Sequence, residues 1–481
     1  MQRVRIKKKL VTALKKALIP AVTMFTLSAG LTLSLVGSSR TPNLATFPDP
    51  TGLLQTLSTT GGFDISNPFF QSLGTNGRSC SSCHQASDAW SVTPPHIQAR
   101  FAVSGGLDPI FRTVDGANCP SADVSTVHAR KAAYSMLLKK GLIRVSLPVP
   151  DNADFTVTAV ADPHGCPETT ANQLALFRRP LPATNISFLT TVMWDGRESL
   201  AGKSLNDDLK HQAMDATLGH AQGAQSPTDA QLQSIADFQM ASFTAQARDN
   251  RAGNLHDDGA KGGPLPLAQQ EFYVGINDVL GADPTGAAFN PVVFTLYEKW
   301  AKLKSSHDGD HDGDDDRSEA RASMARGETL FNTLPITISG VAGLNDKPGV
   351  PASFTGNCTS CHDAPNVGNH SVALAINIGV TDFPAVPALD TKGLPVYTIQ
   401  CSAGGKPIQT TDPARALITG RCADVGKTKG PILRALAARA PYFHNGSAAT
   451  LDDVLDFYVQ RFGLTLSKRQ KTDLVAFLGT L

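Results

Sequence analysis

Cys80-Ser81-Ser82-Cys83-His84 and Cys358-Thr359-Ser360-Cys361-His362 repeat one spacing, C-x-x-C-H, at two places in the chain. Two thiols at that spacing can add to the two vinyl groups of one porphyrin while the adjacent imidazole reaches the iron, which makes the pattern that of c-type haem attachment. A closed zinc site would need a second C-x-x-C or H-x-x-x-H pair nearby, and neither motif has one. The expectation is two covalently bound c-type haems. Cys80, Cys83, Cys358 and Cys361 would form the thioethers, and His84 and His362 would be axial iron ligands.

The second axial position decides the chemistry, because a strong ligand closes the iron to electron transfer alone and a weak or missing one admits oxygen species. The seven methionines end at Met324, so the second motif has none of its own after His362. His370, His444 and Tyr458 are left as candidates there. By default Tyr458 is a packed core tyrosine and His444, in Pro441-Tyr442-Phe443-His444-Asn445-Gly446, a turn histidine. Near the first motif, His96, His211 and His220 all sit among polar residues, where a histidine is most often a surface group. Trp194, in Met193-Trp194-Asp195-Gly196-Arg197, is ordinarily a core residue.

These groups must be positioned by a chain of 481 residues, enough for two or three domains. With 41% hydrophobic and 18% charged residues, 41 Gly and 31 Pro, it is neither disordered, collagenous nor a coiled coil, but globular and rich in loops. The formal charge of +1 rests on seven cations, Arg3 to Lys16, ahead of the apolar stretch Ala17–Val36. Without them the body is acidic, so nucleic acid is not an expected partner. Residues 1–38 read as an export signal, with a cleavage site among the small residues Gly37, Ser38 and Ser39, or as a retained N-terminal anchor, the one route to a membrane. The body is expected in the periplasm. There the remaining cysteines favour disulfides, and nearness in sequence pairs Cys119 with Cys166 and Cys401 with Cys422, one of three connectivities.

An acidic run from Ser305 to Asp316 alternates Asp and Gly without the Glu that ends a calcium-binding EF-hand loop, and reads as a solvated linker. Helical punctuation is clearest at the end. Thr450-Leu451-Asp452-Asp453 starts one helix, with Leu451, Val454, Leu455, Tyr458 and Phe462 on one face, and Ser467 with Gln470 starts another. The best strand candidate is Phe155–Val160. The fold class expected is mainly α, with long loops and little strand.

Two C-x-x-C-H motifs separated by Trp-Asp-Gly-Arg (194–197) and followed by Pro-Tyr-Phe-His-Asn-Gly (441–446) resemble the bacterial diheme cytochrome c peroxidase and MauG superfamily from about residue 60 onward. Asn67-Pro68-Phe69-Phe70 and Pro365–Ser371 are similar to its longer MauG-like members. The resemblance implies two class I cytochrome c-like haem domains, 45–304 with the peroxide site and 321–481 with a six-coordinate electron-transfer haem, joined by the linker 305–320. It implies reduction of hydrogen peroxide at the first haem. It makes Trp194 the relay between haems and Tyr458 an axial ligand, placed 14 residues after His444 where other members carry Met or Tyr. An oxygen ligand lowers the potential of the second haem, so two oxidising equivalents could be stored as a bis-ferryl pair. Electrons would come from a small redox protein or from an oxidised protein side chain. The peroxidases of the superfamily present a Gln, a Pro four residues on and a Glu ten residues on; here Gln212 is followed by Ala216 and Gln222, which leaves His220 as the acid–base candidate. A calcium ion is implied at carbonyls matching Arg439 and Pro441, without the Asn that accompanies them. The alternative is a diheme electron-transfer cytochrome without peroxidase turnover.

Overall fold

The computed structural model describes residues 40–41, 43–302 and 312–481. Residues 1–38, read as signal or anchor, and 305–311 of the acidic run lie outside the described residues. Residues 40–481 form one compact unit. No described helix is long and apolar enough to cross a membrane.

The expectation of a mainly α fold with little strand is not met. The described residues form ten α-helices and fifteen strands, the strands paired in six small sheets. The strands are short, and key pairs join segments far apart in the chain, Gly52–Ser58 with Ser242–Asp249 and Phe155–Ala161 with Val396–Cys401, so a local pattern does not announce them. Gly52–Ser58 alternates buried and half-buried residues and pairs antiparallel with Ser242–Asp249, in a four-stranded sheet completed by Leu44–Asp49 and Gly253–Asn254. The expected strand is present as Phe155–Ala161, paired with Val396–Cys401, which in turn pairs with Ile408–Thr410. Disulfides join Cys119 to Cys166 and Cys401 to Cys422.

The helices follow their punctuation. Thr450 caps Leu451–Phe462 and Ser467 caps Lys468–Leu478, each through a reciprocal capping box. The helix Asp312–Thr333 begins inside the run expected to be linker, nine residues before Arg321. It crosses Lys468–Leu478 so closely that a Cβ on Gly327 would lie 2.0 Å from the Asp473 carbonyl oxygen. Phe331 and Phe477 meet Phe294 in that core, with ring centroids 5.3 and 5.4 Å away. The same core holds Leu255, Tyr297 and Trp300, so residues 252–300 pack with the C-terminal third of the chain.

The small sheets matter for the first motif. Thr56 and Thr244, facing each other across the four-stranded sheet, share a hydroxyl hydrogen bond of 2.9 Å, and Thr56 Oγ1 accepts from the Trp90 indole N–H at 2.9 Å. Trp90 in turn offers its carbonyl to His84.

Candidate haem sites

Each C-x-x-C-H segment folds as a short 3-10 turn with its two thiol sulfurs left out of disulfides, and each lines its own cavity. The cavities measure about 1370 and 1800 Å³ with their open mouths included, ample for a large planar ligand. The His84 Nδ1–H donates to the Trp90 carbonyl (2.9 Å) and the His362 Nδ1–H to the Gly368 carbonyl (2.6 Å), so in both rings Nε2 is the lone-pair nitrogen. Burial lowers the pKa of both histidines, which keeps them neutral as a metal ligand must be. Burial likewise pushes the Cys80 and Cys358 thiols up to about 12.

In the first cavity His84 is joined by Gln212, Ala216 and His220, which lie at successive i, i+4 positions of the helix Leu205–Gly219 and its C-cap. His220 donates from Nδ1 to Asp115 Oδ2 at 2.5 Å, and the buried Arg78 guanidinium holds Asp115 Oδ1 at 2.5 Å. Burial pushes the Asp115 carboxyl up, but the His220 hydrogen bond and Arg78 outweigh it and hold it low. The imidazole is thus fixed in orientation, with Nε2 left for the cavity. Gln222 does not line the cavity; it is exposed at φ +53° and its Oε1 accepts from Asn76 at 3.1 Å. His96 and His211 are also outside, paired with Asp88 and Glu198. Asp115 escaped the sequence reading because it lies 105 residues from His220. Met193 was missed as well, although it adjoins Trp194 and lines the cavity.

The second cavity is lined by Cys358, Cys361, His362, His444 and Tyr458. Leu451, Val454, Leu455, Tyr458 and Phe462, the face read as apolar, all point into it. Burial pushes the Tyr458 phenol up. His444 is buried, with Nε2 3.6 Å from Asp412 Oδ2 and no hydrogen bond, and burial lowers it to about 4. His370 is not in this cavity.

Trp194 lines both cavities, together with Arg179, Pro180, Pro182 and Lys429. Its indole N–H donates to the Arg179 carbonyl (2.9 Å), its carbonyl accepts from the Lys429 amide (2.9 Å), and its ring meets His444 edge-on at 6.1 Å. The wall is charged. Burial lowers Arg179 and Arg439 to about 10 and Lys429 to about 7, and no carboxylate among the described residues pairs with any of the three. Buried cations without counter-charge suit the carboxylates of a porphyrin, and with the free thiols and the neutral histidines they make the residues present fit c-type haem. They do not fit calcium at Arg439 and Pro441. The Arg439 carbonyl already accepts from Arg179 (3.0 Å), and two buried guanidiniums there would repel a divalent cation.

Paired cysteines at thioether spacing beside a neutral imidazole, twice over, suit the attachment of c-type haem. No family model matches the chain. It is 35% identical over 135 residues to the cytochrome-c peroxidase IdrP2 of Denitromonas iodatirespirans, covering 26% of this chain and 36% of the relative. It is 31% identical over 127 residues to the cytochrome c551 peroxidase of Nitrosomonas europaea, covering 26% of this chain and 30% of the relative. The matches thus span about a third of those relatives' length. The solved structure of a MauG-like protein associated with microbial copper homeostasis superposes at a TM-score of 0.39 with 16% identity, covering 86% of each chain. Over those stretches the chain is similar to bacterial cytochrome c peroxidases.

Proposed function

We propose that the protein is an exported diheme peroxidase that reduces hydrogen peroxide in the first cavity and holds or relays oxidising equivalents through the second. The reading rests on one observation above the others: His220, oriented by Asp115 and Arg78, lines the same cavity as the free Nε2 face of His84. Bound there, a haem supplies an iron that can take peroxide and pass electrons to it. Two electrons and two protons turn one peroxide into two waters. His220 Nε2 takes the proton from one peroxide oxygen and returns it to the other, while Asp115 steadies the charge that the ring acquires. Gln212 donates a hydrogen bond to the bound peroxide. Trp194, touching both cavities, would carry electrons from the second site, where Tyr458 would hold a bound haem through its phenol oxygen. His444 remains neutral beside the second site and fixes the edge of Trp194.

The electron source in this reading is a small redox protein or an oxidised protein side chain. The haem modules in this reading are 45–304 and 321–481, with residues 252–300 of the first packed into the core of the second, and the two disulfides accord with an oxidising periplasm.

Met193 favours a second reading. A thioether from this cavity residue on the first iron would close it and leave an electron-transfer cytochrome. One equivalent of hydrogen peroxide added to the all-ferric protein separates the two. A rapid Soret change with a new near-infrared band is the expected result. No change, either in the ferric state or after one-electron reduction, refutes the peroxidase and leaves the carrier.

A further inference from the structure

Asp278, Asp363 and His370 meet in the interior, at 1%, 0% and 6% exposure, outside both haem cavities. Each carboxylate has one oxygen anchored by the backbone. Asp278 Oδ2 accepts from the amides of Leu280 (3.0 Å) and Ala282 (2.8 Å), and Asp363 Oδ1 from that of Ser371 (2.6 Å). The other oxygens face the imidazole. Asp363 Oδ2 lies 3.0 Å from Nδ1 and Asp278 Oδ1 lies 3.9 Å from Nε2, yet none of these four atoms makes a hydrogen bond. Asn369 Oδ1 and Ser371 Oγ, in the same stretch of chain, are also buried without partners. Native interiors leave few polar atoms unpaired, and a group of them in one place asks for an ion or water.

Charge balance chooses between the candidates. No Lys or Arg among the described residues pairs with either carboxylate. Two carboxylates and one imidazole face one another in the interior with no cationic side chain among the described residues opposite them, and a dication would supply the counter-charge that the protein does not. The donor atoms lie within 4.8 Å of one another, and ligands at ~2.1 Å from one ion would close to ~3.4 Å apart. Calcium prefers six to eight oxygens and a more open shell. One imidazole and two carboxylates suit a first-row divalent metal such as zinc.

We propose that Asp278, Asp363 and His370 bind a divalent transition-metal ion that is separate from the haem irons. The ion joins the 278–283 loop to the 363–371 loop. Asp363 follows His362 directly, and Gly368 in the same loop accepts the His362 Nδ1–H, so the metal holds the carbonyl that orients the axial imidazole.

The test uses the haem-loaded protein, incubated with zinc and desalted, with metals counted by plasma mass spectrometry and haem by the pyridine haemochromogen. The wild type should keep about one zinc per chain. Asp278→Asn should lose it with the haem count unchanged. His211→Ala, at the half-exposed Glu198–His211–Asp215 cluster, should keep it. Zinc absent from the wild type, or lost in His211→Ala and kept in Asp278→Asn, overturns the proposal. If Asp278→Asn does not fold, zinc-edge X-ray absorption of the wild type decides: a low-coordinate nitrogen and oxygen shell with imidazole scattering supports the site, and a hydrated six-oxygen shell refutes it.

Discussion

Asp115→Asn isolates the group that the first cavity depends on. The two carboxylate oxygens serve different donors, Oδ1 the Arg78 guanidinium and Oδ2 the His220 Nδ1–H, each at 2.5 Å. An amide has one acceptor and one donor, so the variant must turn an N–H toward Arg78 or toward His220. Either way a charge-assisted hydrogen bond is lost, the buried one from Arg78 or the part-buried one from His220. Removing one member of a buried pair costs ~3–5 kcal/mol. Arg78 keeps the carbonyls of Pro109, Ile110 and His220 as acceptors, which puts the expected loss at ~2–3 kcal/mol. The midpoint of urea unfolding should fall accordingly with an unchanged slope. The chemical effect is separate. With the ring free to rotate or to change tautomer, the peroxide-dependent Soret change in stopped flow should slow by ~10²-fold or more. His220→Ala should slow it at least as much, and the double variant should be no slower than His220→Ala alone, because Asp115 acts through the histidine. A rate unaffected by Asp115→Asn despite the loss of stability, or strictly additive effects in the double variant, would refute the acid–base assignment.

Gly327→Ala should cost ~1–3 kcal/mol in thermal unfolding, because the new Cβ would sit 2.0 Å from the Asp473 carbonyl oxygen and force the two helices apart. Tyr458→Phe should change the low-spin electron paramagnetic resonance signal of the second haem, and an unchanged signal removes Tyr458 as a ligand. Trp194→Phe should slow electron exchange between the two haems in pulsed reduction while leaving cyanide binding at the first unaltered. Acid should unfold the wall between the cavities. Burial pushes the Asp195 carboxyl up, but Arg178 and Arg197 outweigh it and hold it at about 2, below an unfolded value of ~3.9. Its contribution, ~2 kcal/mol, is therefore complete above pH ~4 and fades as pH falls toward 2, so Asp195→Asn should flatten that limb of an acid titration followed by circular dichroism.

How much of this was legible in the chain divides by range. Whatever depends on neighbours a few residues apart was readable. The C-x-x-C-H turns, the capping boxes at Thr450 and Ser467 and the apolar face from Leu451 to Phe462 are all local, and a short segment carries enough of its own energy to declare them. The strands were not readable, since Gly52–Ser58 finds its partner at Ser242–Asp249 and neither segment is strongly β-forming alone. That sheet is what holds Trp90, and through it His84.

The site divides in the same way. The sequence alone determined the chemistry available, two sets of thiols with an adjacent imidazole and no methionine after Met324. Only the tertiary structure decided which of three polar-flanked histidines faces a cavity, that Asp115 orients it, that Gln222 points elsewhere, and that Trp194 touches both sites. It also set His370 between two buried carboxylates and away from the second cavity. Residue type fixes what a side chain can bind or transfer, but its partners come from segments a hundred or more residues away. Loop closure and burial, which leave no local trace, choose among them.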